Sequence, residues 1–471
     1  MSEKTNLTGA EFHREELVDL FHVRGSKPLA AAAERSTKNN AAITDQIPHW
    51  QRWRQEAQAI KEHTVDNLDK LLIEFERNAT ARGIEVLWAA DAEEANRMVL
   101  EITEQHNVRS VVKGKSMVSE ELGLNEVLEA EGIESLETDL GEYIIQLAGQ
   151  RPTHIVTPAL HLSAGEIGQL FADKLDEPLT EEHEALTMIA RQKLREKFLA
   201  ADLGFSGTNF MIADTGGLAI VENEGNVGLS TTVPPVHIAL IGMEKIIPSV
   251  DHVPLFLNLL TRVGTGQKLT SYTHMVHGPA PGKKMYVIIV DNGRSKILAD
   301  PESRSSLKCI RCGMCLNVCP VYRRVGGWAY GWVYPGPIGS IIVPHLQGMD
   351  NASKLPVASS LCGACEEVCP VRMNIPEQMV YLRHLANEGP ERKLNLAERL
   401  LWRGWSWAMG GPLRYKLAMT AAGIGSKFVK FLPWKPWLLG AWARGRDIPQ
   451  SDGPLLRRRM KKLLEEDSES D

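Results

Sequence analysis

Short apolar runs rich in β-branched residues alternate with longer amphipathic segments between residues 83 and 300. This alternation is typical of an α/β domain with a mostly parallel sheet, because crossover helices cover both faces of such a sheet. Helices are predicted between the strands, most clearly over residues 119–131 and 181–203. The predicted strands are residues 84–89, 110–113, 154–157, 210–214, 218–222, 236–241 and 286–290.

The pattern changes on both sides of this α/β domain, which is predicted over residues 83–300. Residues 1–82 have helical character and predict an N-terminal extension, whose charged and periodic part is residues 50–78. Residues 301–390 combine all the cysteines with helix-like segments, which predicts a mainly helical domain of ferredoxin type. Residues 391–471 form a last region that is rich in tryptophan and basic residues.

Composition narrows the class of protein. The 471 residues are 43% hydrophobic and carry a net charge of -6, an acidic balance without a basic tract that argues against nucleic-acid binding. No apolar stretch reaches the roughly 18 residues of a membrane-spanning helix, so we expect at most peripheral membrane contact. The first residues lack the basic start and apolar run of a secretory peptide, so we expect a cytoplasmic protein with reduced thiols.

All seven cysteines fall in two runs, CIRCGMCLNVCP at residues 309–320 and CGACEEVCP at residues 362–370. The first run is a complete C-x2-C-x2-C-x3-C-P ligand set for iron-sulfur clusters. In such a set three closely spaced thiolates bind one cluster, and the cysteine before proline binds the neighbouring cluster. The runs therefore predict two clusters and a role in electron transfer.

Aligning the two runs from their prolines assigns the ligands and pairs Cys309 with Ser359. The second site is one thiolate short. It is either a 3Fe-4S cluster or, as we expect, a 4Fe-4S cluster whose fourth iron takes water, a hydroxyl such as Ser359 or Ser360, or a group from a substrate or partner. Under the crossed rule, the first cluster takes Cys309, Cys312, Cys315 and Cys369, and the second takes Cys319, Cys362 and Cys365.

Two other interpretations of the cysteines fail on spacing and count. A structural zinc site uses two cysteine pairs and has no role for a third cysteine three residues further on. A disulfide framework requires an oxidising compartment and an even number of cysteines, whereas this chain has seven.

Polar residues follow several predicted strands of the α/β domain, where such folds bind their ligands. Lys113 and Ser116 lie in a loop that opens a helix and can hold an anion at its N-terminus, although a basic turn with Ser119 as N-cap explains the loop equally well. Asp214 and Glu222 bracket another strand, where glycine-rich turns are the alternative explanation. These four residues form the candidate ligand pocket. No convincing dinucleotide fingerprint, P-loop, HExxH or GxSxG motif is present.

The last region has no acidic residue between Glu398 and Asp447. Tryptophan and arginine enrichment without carboxylates is typical of an interface core and predicts a docking surface for a redox partner. An anionic membrane surface and packing on the chain's own domains are the alternatives. The region contains Trp402, Trp405, Trp407, Trp434, Trp437 and Trp442, interspersed with Arg399, Arg403, Arg414, Lys416, Lys427, Lys430, Lys435, Arg444 and Arg446.

Nearly the whole chain resembles the lactate utilization protein B family, the iron-sulfur subunits of bacterial L-lactate oxidation. The resemblance rests on the loop at residues 113–121, on IVTPALHLSAGE at 155–166, on ADTGGLAIVENEGN at 213–226, on both cysteine runs and on the Trp-rich tail. It implies a lactate-utilization (LUD) domain of the sugar-isomerase and CoA-transferase-like α/β type, then a helical ferredoxin module and a family-specific C-terminal region.

The resemblance also implies cofactors and partners. It implies two 4Fe-4S clusters, with the second run normally lacking its first cysteine, and it implies a cysteine-rich subunit and a second LUD-domain protein as companions. The final electron acceptor does not follow from it. Succinate dehydrogenase iron-sulfur subunits resemble this ligand arrangement too, and their three-cysteine site holds 3Fe-4S.

Oxidation of L-lactate to pyruvate releases two electrons and two protons, and hydride chemistry of this kind belongs to a cofactor such as flavin or nicotinamide, or to a specialised metal centre. Because the sequence contains no recognisable motif for such a cofactor, we expect an electron-carrier subunit rather than the catalytic subunit. The alternatives are the iron-sulfur subunit of another 2-hydroxyacid or glycerol-phosphate oxidation complex, and a non-redox α/β enzyme or sensor with structural clusters.

Overall fold

Three helices at the start of the chain precede the α/β domain. The structure, a computed structural model, describes residues 26–388, 396–429, 459–460 and 462–463. The chain divides into two units, Met1–Glu388 and Gly389–Asp471. The start of the predicted N-terminal extension and much of the Trp-rich tail therefore lie outside the described residues. The first helices are α1 (Ser26–Thr44), α2 (Trp50–Asp66) and α3 (Leu68–Thr80).

Six parallel strands form the central sheet, in the order β1-β10-β7-β4-β2-β3, and four short strands form a second sheet, in the order β8-β5-β6-β9. The strands are β1 (Glu85–Ala89), β2 (Ser110–Lys113), β3 (Glu134–Glu137), β4 (Leu203–Ser206), β5 (Phe210–Ile212), β6 (Gly217–Glu222), β7 (Val236–Gly242), β8 (Ile246–Ile247), β9 (Tyr272–Val276) and β10 (Lys284–Val290).

The apolar runs of the sequence form the middle of the central sheet. All seven residues of β7 are buried, and so are six of the seven residues of β10, which pairs with it in parallel. Helices on both faces of a parallel sheet exclude water from its inner strands, which explains why these two strands do not alternate in polarity. At the edge, β1 leaves Trp88 40% exposed.

Nine helices of the described chain belong to the α/β domain, and several begin at side-chain caps. Asp91, Ser116 and Asp139 each accept a hydrogen bond from a backbone amide of the helix that follows, and Ser163 forms a capping box with Glu166. These helices are α4 (Ala92–Gln105), α5 (Met117–Glu121), α6 (Leu124–Ala130), α7 (Leu140–Ala148), α8 (Ala164–Leu175), α9 (His183–Ala200), α10 (Asn226–Thr232), α11 (Val253–Thr265) and α12 (Arg294–Ala299).

The ferredoxin-like region is helical, as predicted, and it shares a hydrophobic core with the second sheet and with α11. Phe210 of β5 and Phe256 of α11 belong to the same cluster of buried residues as Tyr322 and Met314 of the cysteine region. Its helices are α13 (Met314–Val318), α14 (Tyr322–Val325), α15 (Gly336–Leu346), α16 (Met349–Ala352), α17 (Ala364–Glu367) and α18 (Ile375–Glu388). The second unit contains α19 (Leu396–Met409) and α20 (Pro412–Val429).

Two predicted elements differ from the structure. Residues 154–157 form no strand, because the ring nitrogen Nδ1 of His154 accepts hydrogen bonds from the amides of Val156 and Thr157 and turns the chain locally. The predicted helix 119–131 is broken at Gly123, whose φ of 63° is left-handed. Four short strands, β3, β4, β8 and β9, were not predicted, and β4 lies at the end of the predicted helix 181–203.

Charged residues that follow three parallel strands meet in a buried network. Arg294, after β10, binds Glu121 with two hydrogen bonds of 2.8 Å and Glu244, after β7, with one of 2.6 Å. All three side chains are at most 1% exposed. A Cβ atom on Gly242 would lie 2.3 Å from the carboxylate of Glu244, so the end of β7 needs glycine there.

Replacing Arg294 by alanine tests how much this network contributes to stability. The substitution leaves two buried carboxylates without their cation, so we expect a loss of about 3–5 kcal/mol in the free energy of unfolding. The control is Arg97→Ala, which breaks an exposed ion pair with Glu94 and costs about 1 kcal/mol or less. Urea denaturation under anaerobic conditions measures both, and equal midpoints for the two variants would contradict the prediction.

Candidate iron-sulfur centre

Cysteines from both runs line a single cavity in the ferredoxin-like region. The rest of its lining is mostly apolar and includes Ile155 from the α/β domain, Ile338 and Met373. The structure therefore brings together the four cysteines that were predicted to share the first cluster, three from the first run and one from the second. They are Cys309, Cys312, Cys315 and Cys369.

The two cysteine runs fold alike around Cys312 and Cys362, which are equivalent when the runs are aligned from their prolines. Arg311 and Leu361, the residues before Cys312 and Cys362, have left-handed φ angles of 60° and 54°. The glycines that follow the two cysteines, Gly313 and Gly363, are left-handed as well, and each precedes a short helix. Left-handed backbone is rare for arginine and leucine, so its recurrence at equivalent positions indicates a repeated cluster-binding loop.

Backbone amides are directed at three of the sulfur atoms. The amide of Arg311 lies 3.4 Å from Sγ of Cys309, and the amide of Met373 lies 3.4 Å from Sγ of Cys369. The amide of Tyr322 lies 3.5 Å from Sγ of Cys319. Such donors stabilise negative charge on sulfur and are among the means by which proteins tune iron-sulfur clusters.

The remaining predicted ligands lie close to Cys319. Burial, and then the nearby Cys319, raises the pKa of Cys365 to about 12. Burial also raises the pKa of Cys369 to about 11. Ligation requires thiolates, so loading these sites releases protons. Cys362 is the one exposed cysteine of the seven, all of which the structure describes as free thiols.

The donor set fits iron-sulfur cubes better than single metal ions. Within the described parts of the chain, no three His, Cys, Asp or Glu side chains converge closely enough to ligate one ion. A cube binds each thiolate through a different iron, so its ligands stand further apart than those of one tetrahedral zinc ion. The cavity between four thiols, with its apolar walls and amide donors, matches the requirements of such a cube.

Helix α2 supports the second cysteine run. Arg54 is buried, and its guanidinium donates hydrogen bonds of 2.8 Å and 3.0 Å to the backbone oxygen of Cys369 and one of 2.7 Å to that of Glu367. Helix α1 supports the first run, because the amide side chain of Asn317 donates to Ser36. The N-terminal helices therefore form part of the cluster-binding module, which their sequence did not reveal.

Arg311 connects the first cluster site to the α/β domain. Its guanidinium donates a 3.1 Å hydrogen bond to Glu244 and lies 5.1 Å from the ring centre of Tyr334. Burial alone would raise the pKa of Glu244, but Arg294 and Arg311 outweigh that effect and hold the pKa at about 2. Tyr334 in turn donates to Glu121 at 2.7 Å. The cysteine loop is thus bound to the carboxyl edge of the central sheet.

The candidate ligand residues of the α/β domain already have partners. Lys113 is fully buried, with its Nζ atom 2.6 Å from Glu137 and 3.0 Å from Glu120. Burial would lower the pKa of Lys113, but these carboxylates outweigh burial and raise the pKa. Ser116 caps α5, because its hydroxyl oxygen accepts a 3.3 Å hydrogen bond from the amide of Ser119.

The other two candidates lie at the ends of β5 and β6. Glu222 accepts hydrogen bonds from the amides of Val227 and Gly228 at the start of α10, and it also contacts His274. Asp214 is exposed and accepts from the amide of Val250 at 3.2 Å. Among the described side-chain contacts, no hydrogen bond or ion pair joins any two of the four candidates, so their common pocket stays a prediction.

Lys115 marks a polar cluster that the candidate set did not include. Its Nζ atom donates to the backbone oxygen of Val156 at 2.9 Å and lies 3.5 Å from Glu142. Burial, opposed by Lys115, raises the pKa of Glu142 to about 8, and burial together with Asp139 raises the pKa of Glu224 to about 7. The candidate set did not include Glu142 because this residue follows β3, and the polar sequence of β3 did not predict a strand.

The tryptophans of the described C-terminal unit are exposed. Trp402, Trp405 and Trp407 on α19 are each more than 50% exposed, and Arg414 of α20 lies over Trp407 at 5.7 Å. The described residues contain no helix with the length and apolarity to span a bilayer. Leucines of both helices are exposed as well, namely Leu396, Leu400, Leu401, Leu413 and Leu417.

Comparison with family models covers most of the chain. Residues 72–297 match the LUD domain, residues 305–373 match a 4Fe-4S dicluster domain, and residues 383–464 match the C-terminal part of lactate utilisation protein B.

Full-length relatives are similar along the whole chain. Lactate utilization protein B of Macrococcus caseolyticus is 40% identical over 98% of both chains, and that of Bacillus subtilis is 41% identical over 93% of this chain and 89% of its own. YkgF of Escherichia coli K12, named an uncharacterized electron transport protein, is 41% identical over 93% of both chains. A solved DUF162 family structure from Deinococcus radiodurans covers 47% of this chain and 98% of its own, at 15% identity and a TM-score of 0.28.

Replacing Arg311 by glutamine tests whether its charge acts on the first cluster. A cluster gains negative charge on reduction, so removal of the adjacent cation should lower its reduction potential by about 59 mV, a tenfold change for one electron. Arg311→Lys keeps the charge and should stay closer to the unsubstituted protein. An EPR-monitored redox titration measures both, and identical potentials for all three proteins would contradict the prediction.

Proposed function

The chain belongs to the lactate utilization protein B family, and on that premise we propose that it is an iron-sulfur electron carrier of L-lactate degradation. It relays electrons released when L-lactate is oxidised to pyruvate and so supports growth on lactate. The observation that carries the proposal is the convergence of Cys309, Cys312, Cys315 and Cys369 on one cavity within a region that matches a 4Fe-4S dicluster domain.

Two 4Fe-4S clusters are proposed as the cofactors. The four cysteines of the cavity hold the first cluster, while Cys319, Cys362 and Cys365 hold the second. When bound, each cluster exchanges single electrons, so two of them can take up an electron pair in steps. Apolar side chains such as Ile155 keep the first site away from water, and the guanidinium of Arg311 interacts with Cys309 and so places a positive charge beside the site.

The α/β domain is proposed to be of the sugar-isomerase and CoA-transferase-like type and to bind an organic anion or a subunit. Its six parallel strands support the α/β assignment. Lys113, Ser116, Asp214 and Glu222 remain the proposed ligand pocket, and they lie at or after the ends of β2, β5 and β6. Lys113 and Ser116 lie at the carboxyl end of β2 in the central sheet, whereas Asp214 and Glu222 lie at the ends of β5 and β6 in the second sheet.

An electron carrier needs a donor and an acceptor, and we propose that partner subunits donate the electrons to this chain. The proposed partners are a cysteine-rich lactate utilization subunit and a second LUD-domain protein. The exposed tryptophans and basic residues of α19 and α20 are suited to dock an acidic redox partner, because a desolvated aromatic core with complementary charge is typical of interfaces. We also propose a cytoplasmic location, where thiols stay reduced, because none of the seven cysteines forms a disulfide.

Loss of the first cluster should abolish the relay. We expect Cys312→Ser to remove the first-cluster EPR signal and to stop growth on L-lactate, while growth on glucose continues. The matched control is Met314→Leu in the same loop, a substitution of similar volume at a fully buried position that should preserve signal and growth. Normal growth of the Cys312→Ser strain on lactate, with the cluster shown to be absent, would exclude the relay.

Partner docking is tested by the tryptophans of α19. Replacing Trp402 and Trp405 by alanine together should reduce anaerobic co-purification of the two partner subunits about tenfold or more, because buried aromatic residues dominate interface energetics. Trp88→Ala, at an exposed position on the edge of the central sheet, is the control and should leave co-purification unchanged. Equal recovery of the partners with both variants would refute docking through α19.

A further inference from the structure

Ser359 occupies the position in the second cysteine run that Cys309 occupies in the first. The two runs align from their prolines without a gap, so Ser359 precedes Cys362 by three residues, as Cys309 precedes Cys312. The inference below rests on the proposed presence of two clusters, and it concerns the second site, where three cysteines leave one iron without a thiolate.

The structure places the oxygen of Ser359 in the same local arrangement as the sulfur of Cys309. The amide of Leu361 donates to Oγ of Ser359 at 3.1 Å, and the equivalent amide of Arg311 donates to Sγ of Cys309 at 3.4 Å. Both donors are two residues further along the chain and have left-handed φ angles. The hydroxyl of Ser359 and the thiol of Cys309 therefore have the same local backbone around them, although the residues that follow them differ.

The loop that carries Ser359 is fixed from the other side. Arg383 of α18 donates a 2.9 Å hydrogen bond to the backbone oxygen of Ser359 and a 2.8 Å hydrogen bond to that of Pro356. Ser359 is partly buried, whereas the adjacent Ser360 is exposed. Of the two hydroxyls near Cys362, the one at residue 359 is held in place by both its side chain and its backbone.

We propose that Oγ of Ser359 is the fourth protein ligand of the second cluster. On binding, the hydroxyl loses its proton to solvent and forms one bond to iron, with no change in the number of electrons. The amide of Leu361 stabilises the negative oxygen, as backbone amides do for anionic ligands. An alkoxide is a harder ligand than a thiolate, so this iron is held by a different bond from the other three.

The thiol of Cys362, three residues after Ser359, is exposed to solvent. A water molecule or a group from a partner is therefore the competing ligand for the fourth iron. Ser359→Ala removes the hydroxyl while leaving the three cysteines intact, and Ser360→Ala is the matched control. Ser359→Cys supplies a thiolate, and Ser359→Thr retains a hydroxyl on the same loop.

The experiment compares these proteins as full-length chains, purified anaerobically, by iron content, EPR and Mössbauer spectroscopy. During mild oxidation, Ser359→Ala should lose iron from the second cluster and gain a 3Fe-4S signal about tenfold faster than the unsubstituted protein. Ser360→Ala and Ser359→Thr should behave like the unsubstituted protein, and Ser359→Cys should lose iron more slowly. The spectrum of the first cluster serves as an internal reference in every sample.

The outcomes separate this inference from the function on which it rests. An intact first cluster in all samples, with equal rates of iron loss in Ser359→Ala and Ser360→Ala, would overturn the serine ligand and leave the relay standing. A second site that contains only 3Fe-4S in the unsubstituted protein, even after incubation with iron and reductant, would overturn the serine ligand as well. A chain without any cluster would overturn the proposed function itself.

Discussion

The buried carboxylate of Glu244 joins the α/β domain to the ferredoxin-like region. One of its oxygens binds Arg294 of the α/β domain and the other binds Arg311 of the first cysteine run. A buried charge is tolerated only when it is paired and hydrogen-bonded, so the carboxylate of Glu244 stays ionised because both arginines are present. The backbone around Glu244 is held as well, because Lys61 of α2 donates to its carbonyl oxygen at 2.8 Å.

This arrangement alters the usual use of an α/β fold. The edge formed by the carboxyl ends of parallel strands normally receives a small ligand. Here residues that follow β2, β7 and β10 receive the cysteine loop instead, through Arg311 and Tyr334. Lys115 and Glu142 form a separate polar cluster, which contacts the backbone oxygen of Val156. The carboxyl ends of these strands therefore hold the cysteine loop in place.

The sequence revealed those features that are local or periodic. Cysteine spacing identified the residues that line the cavity, and uninterrupted apolar runs identified β7 and β10, because a strand buried on both faces has to be apolar throughout. The polar strand β3 gave no such signal. The ion network also remained hidden, because Glu121, Glu244 and Arg294 are ordinary charges separated by up to 173 positions. The tertiary fold determines which of these charges pair, and a single sequence carries no pattern that predicts the pairs.

The hydrogen bonds from Arg54 to Cys369 link residues 315 positions apart. The ribosome synthesises α2 long before the second cysteine run. The contact between Arg54 and Cys369 therefore forms only after most of the chain has been made. The first cavity is complete only after that late run has returned to the N-terminal helices. A chain arrested before the second run would therefore carry the first three cysteines of this cavity without the fourth, Cys369.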